Sequence, residues 1–245
     1  MASGEIAYWL NRGAIGAVRR AESFGPARVA RNKLLLQIAA KQMFWLLESY
    51  QHLVEPIEAL DPFAGSGLLM SHTYIDRCHH ADLWELDPIR ARQATRLGAN
   101  VSVHCGDSIE AVCRGDWRLK EYNFIMLDNN IGGCYGPERR YCEHFEMIPA
   151  IFRYLRKGRP AVVVVNYVPD VDRLAADPRF IPDNLEEHLG RRQAFFHTTG
   201  RTVLPPEAAA RYREAAAESG WTLAHYAVVP RNPVLNFLLL MLKPT

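Results

Sequence analysis

No stretch of this sequence is apolar for long enough to cross a bilayer. The longest runs begin at Leu34 and span 237–242, and Gln37 and Lys41 interrupt the first. No charged-then-apolar leader opens the chain. Cysteine is scarce and unpaired: Cys78, Cys105, Cys113, Cys134 and Cys142 are odd in number and form no C-x-x-C pair. That pattern excludes a disulfide framework and points to a reducing compartment. Internal repeats and low-complexity tracts are absent. These absences predict a soluble cytoplasmic protein with no membrane role. Excess charge is lacking too, since a net +2 is too small to imply a polyanion partner.

What is present suits one α/β domain with decorations: 245 residues, of which 49% are hydrophobic and 23% charged, are enough for a packed core without disorder. Charge is uneven along the chain. Arg12, Arg19, Arg20, Arg28, Arg31, Lys33 and Lys41 face only Glu5 and Glu22 within residues 1–45. A solvated helix face explains this more simply than a phosphate-facing surface.

From residue 57 onward, short β-branched or aromatic runs alternate with helical stretches. Strands are expected at 57–60, 81–86, 101–105, 122–127 and 161–165, and helices at 68–75, 88–97 and 108–113, with a broken one over 138–155 divided near Pro149. Such alternation predicts a doubly wound, mostly parallel sheet of about seven strands. After an alanine-rich helix opened by Pro205-Pro206, runs at 221–229 and 234–242 flank Pro230-Arg231-Asn232-Pro233. A link that short allows only an antiparallel hairpin. Residues 1–56 read as an N-terminal helical extension, with 33–48 so apolar that it is expected to be largely buried on the core of a domain over 57–245. Residues 169–204, with Pro169, Pro178, Pro182 and Gly200, read as an insertion at the carboxyl edge of the sheet.

The sharpest signal is Asp61-Pro62-Phe63-Ala64-Gly65-Ser66-Gly67, directly after the first strand. Glycines there let the backbone turn tightly and approach a ligand. The next residues are Leu68-Leu69-Met70, so the third glycine of a dinucleotide fingerprint is missing. The acid Asp61 suits a cationic ligand better than a pyrophosphate. Glu85 ends the second strand, where a carboxylate can accept from both ribose hydroxyls, while Asp87 beside Pro88 is expected to cap the following helix. Asp107 ends the third strand and can accept from an adenine amine; Ser108 is either a second contact or a helix cap.

The order Asp61 to Gly67, Glu85, Asp107, Asp128 resembles the motif series of class I, Rossmann-type methyltransferases that use S-adenosyl-L-methionine, over residues 57–168 and the terminal hairpin. The D-P-F-x-G-S-G form is similar to that of amino-methyltransferases acting on DNA and RNA bases. The resemblance implies a Rossmann-like methyltransferase fold. It also implies that Asp61, Phe63, Gly65 and Gly67 hold the methionine and adenosyl parts, Glu85 the ribose, and Asp107 the adenine. The D-P-P-Y position of those enzymes reads Asp128-Asn129-Asn130-Ile131 here, with Tyr135 four residues later as a candidate for the missing ring. Asp128 is the candidate partner of the acceptor proton, and Asn129 and Asn130 are candidates to orient a polar group, although all three residue types also favour turns. A nucleic-acid base and a small molecule are both open as acceptor, as is a cofactor-binding subunit without catalysis.

Two further clusters stand outside that series. Cys134, Cys142 and His144 match no standard zinc spacing, so no metal is expected. Phe195-Phe196-His197 with Arg191, Arg192 and Arg201 reads either as a stacking and phosphate platform for nucleic acid or as a buried aromatic anchor for the insertion.

Overall fold

A computed structural model describes residues 26–52, 55–68, 70–115, 121–129, 144–176 and 185–245. Asn130, Tyr135, Cys134, Cys142 and the basic residues before Pro26 lie outside the described residues.

The element order is α1 (Pro26–Ser49), β1 (Glu58–Asp61), β2 (His80–Glu85), α2 (Pro88–Ala94), β3 (Val101–Cys105), α3 (Ser108–Arg114), β4 (Phe124–Leu127), β5 (Ala161–Tyr167), α4 (Val171–Ala175), α5 (Leu185–Phe196), α6 (Pro205–Ala217), β6 (Trp221–Pro230) and β7 (Asn236–Pro244). The strands form one seven-stranded sheet in the order β3-β2-β1-β4-β5-β7-β6. The first five run parallel, and β7 is antiparallel to both β5 and β6. The expected mixed α/β sheet with a terminal antiparallel pair is therefore present.

Burial explains the composition of the strands. All seven residues of β5, Ala-Val-Val-Val-Val-Asn-Tyr, are buried, as both faces of a central strand require. Val162 and Val164 point into one core layer with Met43, Phe44 and Leu47 of α1, while Val163 and Val165 point into the other with Phe152, Ala209 and Tyr212. Each large side chain so buried contributes about 1.5–3 kcal/mol. The apolar run 33–48 is not wholly buried, because a helix lying on a sheet hides one face only. Leu34 (47% exposed) and Trp45 (58%) point outward.

Two expected helices take another form. Residues 68–75 make no α-helix; Ser71–Thr73 and Ile75–Arg77 are tight three-residue turns. Side chains three apart eclipse in such turns, which brings both Ser71 and Tyr74 onto Asp61. Of the stretch 138–155, the described part consists of short turns at Phe145–Met147 and Ala150–Tyr154. Pro149 divides them, having no N–H to donate and holding Ile148 extended at ψ 131°.

Candidate functional site

The carboxyl ends of the parallel strands are stitched into one edge. Ala64 N–H, in the glycine turn, donates to the Trp84 carbonyl of β2 at 3.0 Å, and Gly106 N–H, after β3, donates to the Glu85 carbonyl at 3.1 Å. Ser108 Oγ, at the start of α3, donates to the Pro62 carbonyl at 2.7 Å. The three strand ends carrying Asp61, Glu85 and Asp107 are thus tied to one another before any ligand is considered.

Gly65 and Gly67 both have positive φ, +60° and +73°, which L side chains rarely adopt. A Cβ on Gly65 would lie 3.8 Å from Glu85 Oε2, so the glycine turn faces that carboxylate. A Cβ on Gly67 would fall 2.2 Å from Leu97 Cδ1, so this glycine is needed for packing as well as for its dihedral. Glu85 uses its other oxygen, Oε1, to accept from Asp87 N–H at 2.8 Å. Asp87 caps α2 through Ile89 N–H, as its place before Pro88 predicts. The cap of α3 is Asp107, which accepts from Glu110 N–H at 3.0 Å. Ser108 is therefore not the cap; its buried hydroxyl is used on Pro62.

Asp61 is almost fully buried beneath the turn. Tyr74 O–H donates to its Oδ2 at 2.6 Å, Ser71 Oγ to the same oxygen at 2.7 Å, and Phe63 N–H to Oδ1 at 3.2 Å. Burial raises its pKa to about 6; the two hydroxyls oppose that shift, and the charge of Asp128 adds to it. Burial and the Asp61 charge together push the Tyr74 phenol well above its ordinary value.

The ends of β4 and β5 hold a second polar group. Asn166 Nδ2 donates to Asp128 Oδ1 at 2.7 Å and to the Asn129 carbonyl at 2.6 Å. Arg231, in the turn between β6 and β7, donates to Asp128 Oδ2 at 3.1 Å. Among the described residues, Asn129 Nδ2, Asn166 Oδ1 and Arg231 Nε are buried without a hydrogen-bond partner. Asn129 Oδ1 lies 3.4 Å from Nδ1 of His144, whose Nε2 is 2.5 Å from the Tyr212 hydroxyl. Burial lowers the His144 pKa to about 3.

Sequence reading missed Ser71, Tyr74, His144, Asn166, Tyr212 and Arg231. Asn166 did leave a signal, as the polar residue that breaks a run of four valines.

The aromatic pair Phe195-Phe196 turns inward. Phe195 is buried against Phe145, Phe196 and Tyr212. Arg192 is fully buried over the Phe196 ring, Arg191 is ion-paired to Glu146 and Glu187, and Arg201 to Asp172. Phe195 is buried and Phe196 packs partly buried against the core, as the aromatic-anchor reading expects, while His197 is exposed. Among the described residues, no group of His, Cys, Asp and Glu is arranged to hold a metal, and no helix is long and apolar enough to cross a membrane.

No family model matches the sequence, and no curated protein sequence matches it. The fold has solved counterparts. Magnesium protoporphyrin IX methyltransferase from Synechocystis PCC 6803, solved with bound S-adenosylhomocysteine, superposes with a TM-score of 0.53 at 13% identity over 97% of each chain. The plantazolicin methyltransferase BamL, solved with a triazolic desmethyl-plantazolicin analogue and S-adenosylhomocysteine, gives 0.54 at 14% identity, covering 89% of this chain and 87% of that one. At such identities the likeness is one of fold: this chain has the Rossmann-like methyltransferase fold.

Proposed function

We propose that this chain binds S-adenosylmethionine along the carboxyl ends of β1, β2 and β3 and transfers its methyl group to an acceptor held at the ends of β4 and β5. The observation that carries this reading is the glycine turn facing Glu85 Oε2, on a fold shared with two methyltransferases solved with S-adenosylhomocysteine.

The residues fit the cofactor. Gly65 and Gly67 let the backbone come close, with Phe63 between the turn and the core. Glu85 keeps one oxygen, Oε2, for the two ribose hydroxyls, its other oxygen being bound to Asp87 N–H. Asp107 has an oxygen beyond its capping bond for the adenine amine, and Ser108 fixes the turn that shapes this end. Asp61 acts through its charge rather than by contact, since three internal donors hold it under the turn.

The cofactor, when bound, supplies a methyl group already activated on a sulfonium. The protein's task is then to align the acceptor and hold its polar groups. Asp128 is charge-balanced by Arg231, and its spare lone pairs can accept from an acceptor N–H or O–H. Asn129 orients that group; Asn130 and Tyr135, the other candidates from the sequence, lie outside the described residues.

Two acceptor classes have support. The D-P-F-x-G-S-G form favours a nucleic-acid base taken out of its stack. Among the described residues, Arg191 and Arg201 are engaged in ion pairs with Glu146 and Asp172, which favours a small molecule. Calorimetric titration with S-adenosylhomocysteine and with NADH tests the cofactor. Binding of the first supports the proposal, and binding of NADH alone rejects it. Radiolabelled methyl transfer to DNA, RNA and a metabolite extract separates the acceptors; a protein that binds cofactor and labels nothing is a non-catalytic subunit.

A further inference from the structure

His144 and Tyr212 take no part in the chemistry just described, yet both are buried and in line with Asn129. His144 stands on a short turn after β4, and Tyr212 on α6. Their two rings stack at 24° with centroids 5.9 Å apart. Resting on the function proposed above, we propose that Tyr212 and His144 are positioning residues that fix the side-chain amide of Asn129 with its NH2 group turned to the acceptor as a hydrogen-bond donor.

A phenol is a good donor and a neutral imidazole nitrogen a good acceptor, so the short Tyr212 contact is best made by Tyr212 O–H donating to His144 Nε2. A neutral imidazole with Nε2 accepting must carry its proton on Nδ1. That N–H then points at Asn129 Oδ1, 3.4 Å away, and specifies which end of the amide is oxygen. The NH2 end is forced to the opposite side, where it is buried and unpaired among the described residues. An unmet buried donor is unfavourable, and a ligand removes that cost by supplying a lone pair. Asn166 does not supply it: its Nδ2 donates to Asp128 and to the Asn129 carbonyl, and its Oδ1 makes no hydrogen bond among the described residues. The acceptor that fits is one bearing a lone pair, on a carbonyl oxygen or ring nitrogen, beside the atom that is methylated.

The arrangement has one competitor, with the amide turned over, His144 protonated on Nε2 and Tyr212 accepting. The histidine tautomer separates them and can be read without any cofactor. In the full chain labelled with nitrogen-15 histidine, the His144 signals, identified by their loss in His144→Asn, should show a protonated Nδ1 and a bare Nε2 at about pH 7. Tyr212→Phe should collapse this into a mixture of tautomers and shift the Asn129 side-chain NH2 signal, with folding checked by circular dichroism. A protonated Nε2 in the wild type, or no change in Tyr212→Phe, overturns the proposal. His144→Asn keeps an N–H at the Nδ1 position and should hold the Asn129 signal, whereas His144→Leu should not.

The functional half is tested with Asn129→Asp, which replaces the donor by an acceptor of the same shape. Methyl transfer to the pool that the wild type labels should fall at least tenfold (about 1.4 kcal/mol), with S-adenosylhomocysteine affinity held within about twofold. Undiminished transfer refutes the donor role. A wild-type chain that binds no S-adenosylhomocysteine refutes the methyltransferase reading instead and leaves the tautomer result standing.

Discussion

Tyr74 donates to Asp61 at 2.6 Å beneath the glycine turn, a phenol and a carboxylate that are both buried. Removing the hydroxyl leaves an ionised carboxylate with one donor fewer in a place water does not reach. Tyr74→Phe should therefore lose about 1–3 kcal/mol of stability near pH 8 and clearly less near pH 5, where Asp61 is mostly protonated. Urea unfolding at the two pH values measures the difference; an equal loss at both would separate Tyr74 from the charge on Asp61.

Asp61 itself should leave a mark on the pH profile. Its folded pKa of about 6 lies above the ordinary value of 3.8, so the folded chain keeps this proton after the unfolded chain has released it. The resulting stability is fully present below pH 3.8 and is lost as pH rises through about 6. The stability of the wild type relative to Asp61→Asn should fall by roughly 3 kcal/mol across that window and be flat above it. A flat difference between about pH 4 and 7 would show that Asp61 titrates normally. The affinity for S-adenosylhomocysteine, whose ammonium group is cationic, should strengthen over the same rise in pH and lose that dependence in Asp61→Asn.

The two glycines should fail in different ways. Gly67→Ala combines a positive φ with a methyl group driven into Leu97, so it should cost about 2–4 kcal/mol, part of which Leu97→Ala recovers. Gly65→Ala meets nothing closer than 3.8 Å and should cost only the dihedral strain, about 1–2 kcal/mol. Gly65→Val should instead weaken S-adenosylhomocysteine binding more than tenfold, or about 1.4 kcal/mol. Unchanged affinity by calorimetry would take the turn out of the binding site.

Arg231 and Asp128 have side chains only 17% and 5% exposed, so each is left poorly compensated without the other. A double-mutant cycle on Arg231→Ala and Asp128→Ala should give a coupling of about 1–3 kcal/mol in unfolding free energy. Additive losses would reduce the pair to a crystal-like contact of no consequence. Asp128→Ala should also slow methyl transfer while leaving cofactor affinity nearly intact.

Much of this was legible in the chain before its fold. Alternating short apolar runs gave the parallel strands, and the brief link at Pro230 required β6 and β7 to be neighbours. Nothing in the sequence said which of the two sits beside β5, because both are apolar enough to be buried. The loop acids were visible as strand-ending residues, but their partners were not. Ser71 and Tyr74 gave no sign, since their contact with Asp61 depends on tight turns standing where the apolar pattern suggested a helix. Arg231 gave no sign, because its contact with Asp128 spans 103 positions. The cap of α3 is Asp107 and not Ser108, a distinction the sequence does not carry, because side chains that cap and side chains that bind are the same few types.

The placement of β7 between β5 and β6 also bears on how the chain emerges from the ribosome. Throughout synthesis of α4, α5, α6 and β6, the valine-rich margin of β5 has no strand to zip against. The nascent sheet thus carries an open, sticky border until its penultimate-position strand arrives last, a period when a holding chaperone would matter most.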